Sequence, residues 1–388
     1  MTDSRIARYL LKMCEAGASD LYLTYNYPPS LRVENHILPI SGEAPLKGED
    51  IDAIIDEILD ESQKQELATT FELNVALDSY HKERFRANFF RQQHKNGIVI
   101  RRIRTDIPSI ESLKLPPIYS KLIMEKRGLI LMVGSAGAGK STSLAAMLNY
   151  RNQHGDGHVV TIEDPIEYIY EPRGCIFTQR ELGIDTYSYG NALKNALRQS
   201  PDVIVIGEIR DRDTMENALL FCETGHLCIA TLHANNSSQA IERMVNLFPE
   251  EGQRQVLITL SQNLKAIFSQ RLVEDKTGHR VLAAEILLNA GLIKKLIEEG
   301  KIKEIKELME RNKDQGMQTF DQCLLELYLK GTITADVALN ESDNPSNLRL
   351  RINQEKGSNP DLKKTSYTAV PVQTKSTHHH LGKPDNKF

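Results

Sequence analysis

One stretch limits the folds open to this 388-residue chain more than any other: Gly134-Ser135-Ala136-Gly137-Ala138-Gly139-Lys140-Ser141-Thr142. It satisfies the pattern G-x-x-x-x-G-K-[ST]. A loop of this kind wraps a run of phosphates with its backbone N–H groups, and glycine permits the close approach. The wrap needs a strand to deliver the chain and a helix to carry it away, because the helix N-terminal amides add favourable partial charge. Both flanks fit. Residues 129–133 are an apolar, strand-sized run, and residues 143–149 are helix-forming. The expectation is ATP binding, with Lys140 on the β- and γ-phosphates and the Ser141 hydroxyl on Mg²⁺.

The surrounding pattern predicts an α/β fold. Strand-like runs at 129–133, 159–162, 203–206 and 227–231 alternate with helical stretches, one after Lys140 and one through 191–198. That alternation implies a mostly parallel sheet with helices on both faces. Residues 1–104 read instead as a smaller α+β domain. Ser4 can cap a first helix, 21–24 and 31–33 are strand-like, 52–66 has helical spacing, and 98–103 is a further strand. Along 84–90 the alternation puts Arg84, Arg86 and Asn88 on one face and Phe85, Ala87 and Phe89 on the other. Residues 105–127, with Pro108, Pro116 and Pro117, read as a stiff linker. The second domain spans 128–352 and is mainly helical beyond Glu285. Residues 353–388 are polar and aperiodic, the composition of a disordered tail that includes His378–His380.

Composition excludes several classes. A net charge of -4 gives no general case for a nucleic-acid partner. No apolar run approaches the roughly 20 residues of a membrane helix, and the N-terminus lacks a secretory pattern, so a cytoplasmic protein is expected. The five cysteines form no C-x-x-C pair, which favours buried free thiols over a zinc site.

Two carboxylate clusters end apolar strands. In Asp202-Val-Ile-Val-Ile-Gly207-Glu208, glycine stands where many ATPases hold Mg²⁺ with aspartate, and Glu208 follows as the candidate for metal and water positioning. Thr161-Ile-Glu163-Asp164-Pro165-Ile-Glu167 supplies a second cluster. Parallel strands gather their C-terminal ends, where ligands bind, so Glu163 is the candidate for activating water. The two glutamates could exchange roles. His226 and His233 flank 227–231, and either could sense phosphate.

Together GSAGAGKST, TIEDPIE, DVIVIGEIRD and TGHLCIATLHANN resemble the phosphate loop, aspartate box, Glu-containing second motif and histidine box of the secretion-type hexameric ATPases, in that order. The resemblance covers roughly residues 5–352 and is nearest to the retraction ATPases of type IV pili, the PilT/PilU group. Ala290-Gly-Leu-Ile-Lys-Lys-Leu-Ile297 lacks the Ala-Ile-Arg-Asn-Leu-Ile of PilT proteins, and the C-terminal stretches look more like PilU. The resemblance implies a RecA-like P-loop ATPase domain behind a PAS-like N-terminal domain, and a homo-hexamer working in twitching motility. It implies docking on a pilus platform protein at the base of the inner-membrane machine. It gives Arg84, Arg86, Arg101 and Arg102 a role in reaching a neighbouring active site, and favours His233 over His226 as the γ-phosphate monitor. Two alternatives stay open: an accessory ring supporting a separate PilT-like motor, and a nucleic-acid-translocating ATPase.

Overall fold

The computed structural model describes residues 4–33, 36–80, 83–103 and 106–358. The N-terminal part is an α+β unit. Helix α1 (Arg5–Glu15), capped by the Ser4 hydroxyl, leads into strands β1 (Asp20–Leu23), β2 (Ser30–Val33) and β3 (His36–Pro39). Helices α2 (Gly48–Ile58) and α3 (Glu61–Thr70) follow, then β4 (Glu72–Tyr80), β5 (Glu83–Gln92) and β6 (Lys95–Ile103). The six strands form one antiparallel sheet in the order β3-β2-β1-β6-β5-β4. The helical spacing over 52–66 resolves into two helices. Leu59 is extended, and Asp60 starts α3 with a reciprocal capping box to Gln63. On β5, Phe85, Ala87 and Phe89 are fully buried, as the alternation requires.

The stretch expected to be a spacer is largely packed. Ile110, Leu115 and the helix α4 (Ile118–Ile123) join the core of the following unit. Tyr119 is fully buried, stacks on Phe268 at 3.8 Å between ring centroids, and accepts from the Gln270 amide. Pro117 is the N-cap of α4, so the proline that suggested a stiff rod starts a helix instead.

The second unit runs β7 (Gly128–Val133), α5 (Lys140–His154), β8 (Gly157–Glu163), β9 (Cys175–Glu181), α6 (Tyr189–Ala196), β10 (Val203–Ile206), α7 (Arg212–Glu223) and β11 (Leu227–Leu232). Then come α8 (Ser237–Asn246), α9 (Glu250–Asn263), β12 (Leu264–Glu274) and β13 (Arg280–Leu288). The seven strands lie in the order β13-β12-β7-β11-β10-β8-β9, and all neighbours are parallel except β12 and β13. This is the RecA-like α/β layer arrangement, with a core on each face of the sheet. Strands β9, β12 and β13 were not expected from the sequence. The helical C-terminal region therefore begins after Leu288, with α10 (Leu292–Glu298), α11 (Ile305–Arg311), α12 (Phe320–Leu329), α13 (Ala335–Glu341) and α14 (Pro345–Ser358). Helix α14 carries the chain past Ile352, where the tail was expected to start, and the rest of that tail, with its histidines, lies outside the described residues. The cysteines are free thiols, with Cys175, Cys222 and Cys228 buried. Among the described residues no helix is long and apolar enough to cross a membrane.

Candidate nucleotide site

The parallel register builds the site. Ile206 pairs with both Ile162 and Ala230, and Leu232 with Val133, so β7, β8, β10 and β11 end at one sheet edge. The residues that follow or end these strands converge there, around a cavity of about 270 Å³. Its lining includes Ala136, Gly137, Lys140, Ser141, Glu163, Asp164, Glu208, Arg210 and His233.

The fully buried strand β7 holds the loop rigidly. Gly139 is the N-cap of α5 at φ 86°, a left-handed conformation that strains other residues. Lys140 donates through Nζ to the carbonyls of Gly134 and Ser135, both at 2.8 Å. Burial lowers its pKa, partly countered by Glu208 and Glu167. Thr142 shares a 3.0 Å hydrogen bond with the Tyr168 hydroxyl, which ties the start of α5 to the loop after β8.

Glu163 ends β8. Its Oε1 accepts from the Thr161 hydroxyl at 2.7 Å, and burial pushes its pKa up to about 7. Across the cavity, Glu208 Oε2 accepts from Arg210 Nε at 2.6 Å, and Oε1 lies 3.4 Å from His233 Nε2. Arg210 also reaches Asp164 at 3.3 Å, which bridges the two carboxylate clusters. Burial, then Lys140, lower the pKa of His233, so the imidazole is neutral near pH 7. Arg243 fixes this histidine by donating to its carbonyl at 2.7 Å.

Gly207, standing before Glu208 where many ATPases carry aspartate, sits in a crowded place. A Cβ on Gly207 would sit 2.8 Å from the Tyr189 hydroxyl and 3.1 Å from both Glu163 Cα and the Ile162 carbonyl oxygen. The backbone contacts are tighter than most Cβ atoms make, so a larger residue would have to push β8 or Tyr189 aside, and here the next residue carries the carboxylate.

The structure separates the two histidines. His226 precedes β11 at the opposite sheet edge, where its carbonyl accepts from Gly128 N and its Nδ1 lies 3.0 Å from the Thr224 hydroxyl. It cannot meet the phosphate loop, because the length of β11 stands between them; His226 as a site residue is corrected on that ground. The four arginines separate too. Arg86 pairs with Arg101 across β5 and β6, so both share a face, whereas Arg102 pairs with Phe85 on the other face and forms a forked contact with Glu83 at 2.9 and 2.5 Å. Arg102 is therefore turned away from the arginine face. Arg86 Nη1 lies 3.1 Å from Glu181 Oε1 on β9, a largely buried ion pair joining the two units. Arg101 donates to Asp20 at 2.9 Å and feels the charge of Glu167. Arg84 is exposed on β5. Sequence reasoning gave no part to Glu181, whose Oε2 accepts from Ile166 N at 3.1 Å, or to Arg210. Arg210 lay inside a quoted motif, but Glu181 had no sequence signal because β9 itself was unrecognised.

Ser141 and Glu208 offer hard oxygen donors, and their setting suits Mg²⁺ carried in with phosphates. Among the described residues there is no cluster of three or more His, Cys, Asp or Glu side chains that would hold a metal by itself.

Comparison with known proteins places this geometry. The family model described as "Type II/IV secretion system protein" matches residues 70–324. The chain is 49% identical over 346 residues to the type IV pilus ATPase PilU of Pseudomonas aeruginosa, covering 89% of this chain and 90% of that one. It is 36% identical to the PilT retraction ATPase of the same organism, over 88% of this chain and 99% of that one. Its fold superposes on a crystal structure of the pilus retraction motor PilT with bound ADP at a TM-score of 0.84 and 38% identity, covering 90% of this chain and all of that one.

Proposed function

The chain belongs to the type II/IV secretion system protein family and is an ATPase of its PilT/PilU group, and from that premise we propose that it powers type IV pilus retraction with Mg²⁺-ATP. The observation that carries this is the single sheet edge at which the phosphate loop, Glu163, Glu208 and His233 meet around one cavity.

The roles follow from the chemistry. Loop amides and Lys140 bind the phosphates once the ammonium leaves the Gly134 and Ser135 carbonyls. Ser141 and Glu208 would hold Mg²⁺, which when bound neutralises developing phosphate charge. Glu163, with a pKa near the working pH, takes the proton of the attacking water. Neutral His233, held beside Glu208, monitors the γ-phosphate. Arg86 and Arg101 present cationic groups from the small sheet, and closure of that unit over nucleotide would convert hydrolysis into movement. The working form is a homo-hexamer in the cytoplasm, docked on the platform protein at the inner-membrane base of the pilus machine.

A second reading is favoured by one comparison, since identity to PilU (49%) exceeds identity to PilT (36%). It makes this chain an accessory ring acting beside a PilT-like ATPase. Two experiments address the readings. The purified wild-type chain hydrolyses ATP with Mg²⁺, and Lys140→Ala binds and turns over at least about 100-fold less. Wild-type turnover in Lys140→Ala would overturn the site. Retraction by cells carrying this ATPase alone selects the motor reading, and retraction only beside a PilT-like partner selects the accessory ring.

A further inference from the structure

Arg210 follows β10 in a segment whose backbone is pinned on both sides. Ile209 is 1% exposed and donates its N–H to the Thr231 carbonyl at 3.0 Å. Asp211 caps α7 by accepting from Thr214 N at 2.8 Å. With Ile209 turned into the core, Glu208 and Arg210 both line the nucleotide cavity. The backbone is thus fixed, while the Arg210 side chain is 56% exposed and has room to move.

Four carboxyl groups line the cavity, Glu163, Asp164, Glu167 and Glu208, against two cationic side chains, Lys140 and Arg210. Lys140 belongs to the phosphate loop. Arg210 comes from the β10 side, with Nε donating to Glu208 at 2.6 Å and Nη1 to Asp164 at 3.3 Å. Arg86 and Arg101 are held by Glu181 and Asp20, and neither lines the cavity. An exposed ion pair is worth little and gives way at little cost. When nucleotide enters with its metal, both partners of the Arg210–Glu208 pair gain better ones. The carboxylate gains a divalent cation, and the guanidinium gains a phosphate, which its planar fork of donors fits.

We propose that Arg210 is a further catalytic residue, which leaves Glu208 and Asp164 to stabilise the terminal phosphate of bound ATP from the β10 side of the cavity. The inference rests on reading this cavity as the hydrolytic site. The water oxygen bonds to the γ-phosphorus as the bond to the β–γ bridging oxygen breaks. The electron pair leaves with ADP, and the water proton passes to a carboxylate. Arg210 makes and breaks no covalent bond and keeps its protons. It donates hydrogen bonds to the γ-phosphate oxygens, where charge is spread in the transition state.

Arg210→Gln and Arg210→Lys test this in the purified full-length chain. Arg210→Gln is expected to lower kcat at least about 100-fold with the KM for ATP unchanged. Arg210→Lys keeps a cation for Glu208 but loses the fork, and is expected to lower kcat at least about tenfold. Trapping gives a readout independent of turnover, because aluminium fluoride with Mg²⁺ and ADP mimics the phosphoryl group in transfer. The wild type is expected to retain this ADP through gel filtration and Arg210→Gln to release it, although both bind fluorescent ADP equally. Wild-type kcat in Arg210→Gln, or retention of the trapped ADP by that variant, overturns the proposal. So does full activity in Arg210→Lys, which reduces the residue to a prop for Glu208. Weakened ADP binding or a lowered thermal midpoint in Arg210→Gln overturns it too, as the mark of a structural role. A wild-type chain that hydrolyses no ATP removes the reading of the cavity, an outcome distinct from equal turnover in wild type and variants.

Discussion

At the scale of residues, Glu163 carries a conflict between folding and chemistry. Burial raises its pKa from 4.5 to about 7. Between those values the folded state binds more protons than the unfolded state, so its contribution to stability falls as pH rises from about 4.5 to about 7 and stays low above that. The cost of ionising it in place is about 3 kcal/mol at 1.36 kcal/mol per unit. The role of base proposed for it has the opposite requirement, because a base must be ionised. Glu163→Gln should therefore raise the thermal midpoint at pH 8 and leave it little changed at pH 4.5, while turnover is lost. Calorimetry at the two pH values checks the first part. Equal midpoint shifts at both would show that burial does not perturb this carboxylate. In the wild type, kcat/KM should rise with pH through about 7.

At the scale of elements, α4 is the informative piece. Its Tyr119 stacks on Phe268 of β12 and reaches Gln270 of the same strand, so a segment N-terminal to β7 is part of the ATPase core. Tyr119→Ala should cost about 3–5 kcal/mol, the usual range for removing a large buried aromatic side chain. Denaturant unfolding of the full chain measures it, and a loss under 1 kcal/mol would mean that α4 is merely laid against the core. The sequence concealed this element because three prolines within 20 residues look like a spacer, and nothing local reveals that Tyr119 meets a ring 149 positions away. Local patterns gave other elements readily. The phosphate loop is contiguous, so its chemistry and geometry are written in one stretch. The separation of Arg101 from Arg102 follows from the two-residue period of a strand and was legible once β6 was recognised. The choice between His226 and His233 needed strand direction, which a parallel sheet sets through distant neighbours. Strand β9 was hidden by its mixed composition, and with it Glu181.

At the scale of the whole molecule, Arg86–Glu181 is an ion pair between the two sheets that is largely shielded from water. Glu181 also accepts from the Ile166 amide beside the Asp164 cluster. A movement of the small sheet is thus one ion pair and one hydrogen bond from the loop that follows β8. Removing one partner strands the other, so Arg86→Ala should destabilise the chain by about 3 kcal/mol, while Arg86→Ala with Glu181→Gln should lose less than the sum of the two single changes. A thermodynamic cycle over the four proteins tests it; strict additivity would show that the sheets are not joined here. Faster hydrogen exchange at Ile166 in Arg86→Ala would trace the connection to the loop itself.

An aspartate at position 207 would share its space with the Tyr189 oxygen and with the backbone of β8, 2.8 and 3.1 Å from its Cβ. Recovering there the metal-binding aspartate common among other ATPases would therefore mean shifting α6 or easing β8 away from β10. Where the carboxylates of this edge stand is thus coupled to how closely its strands and α6 pack around one glycine.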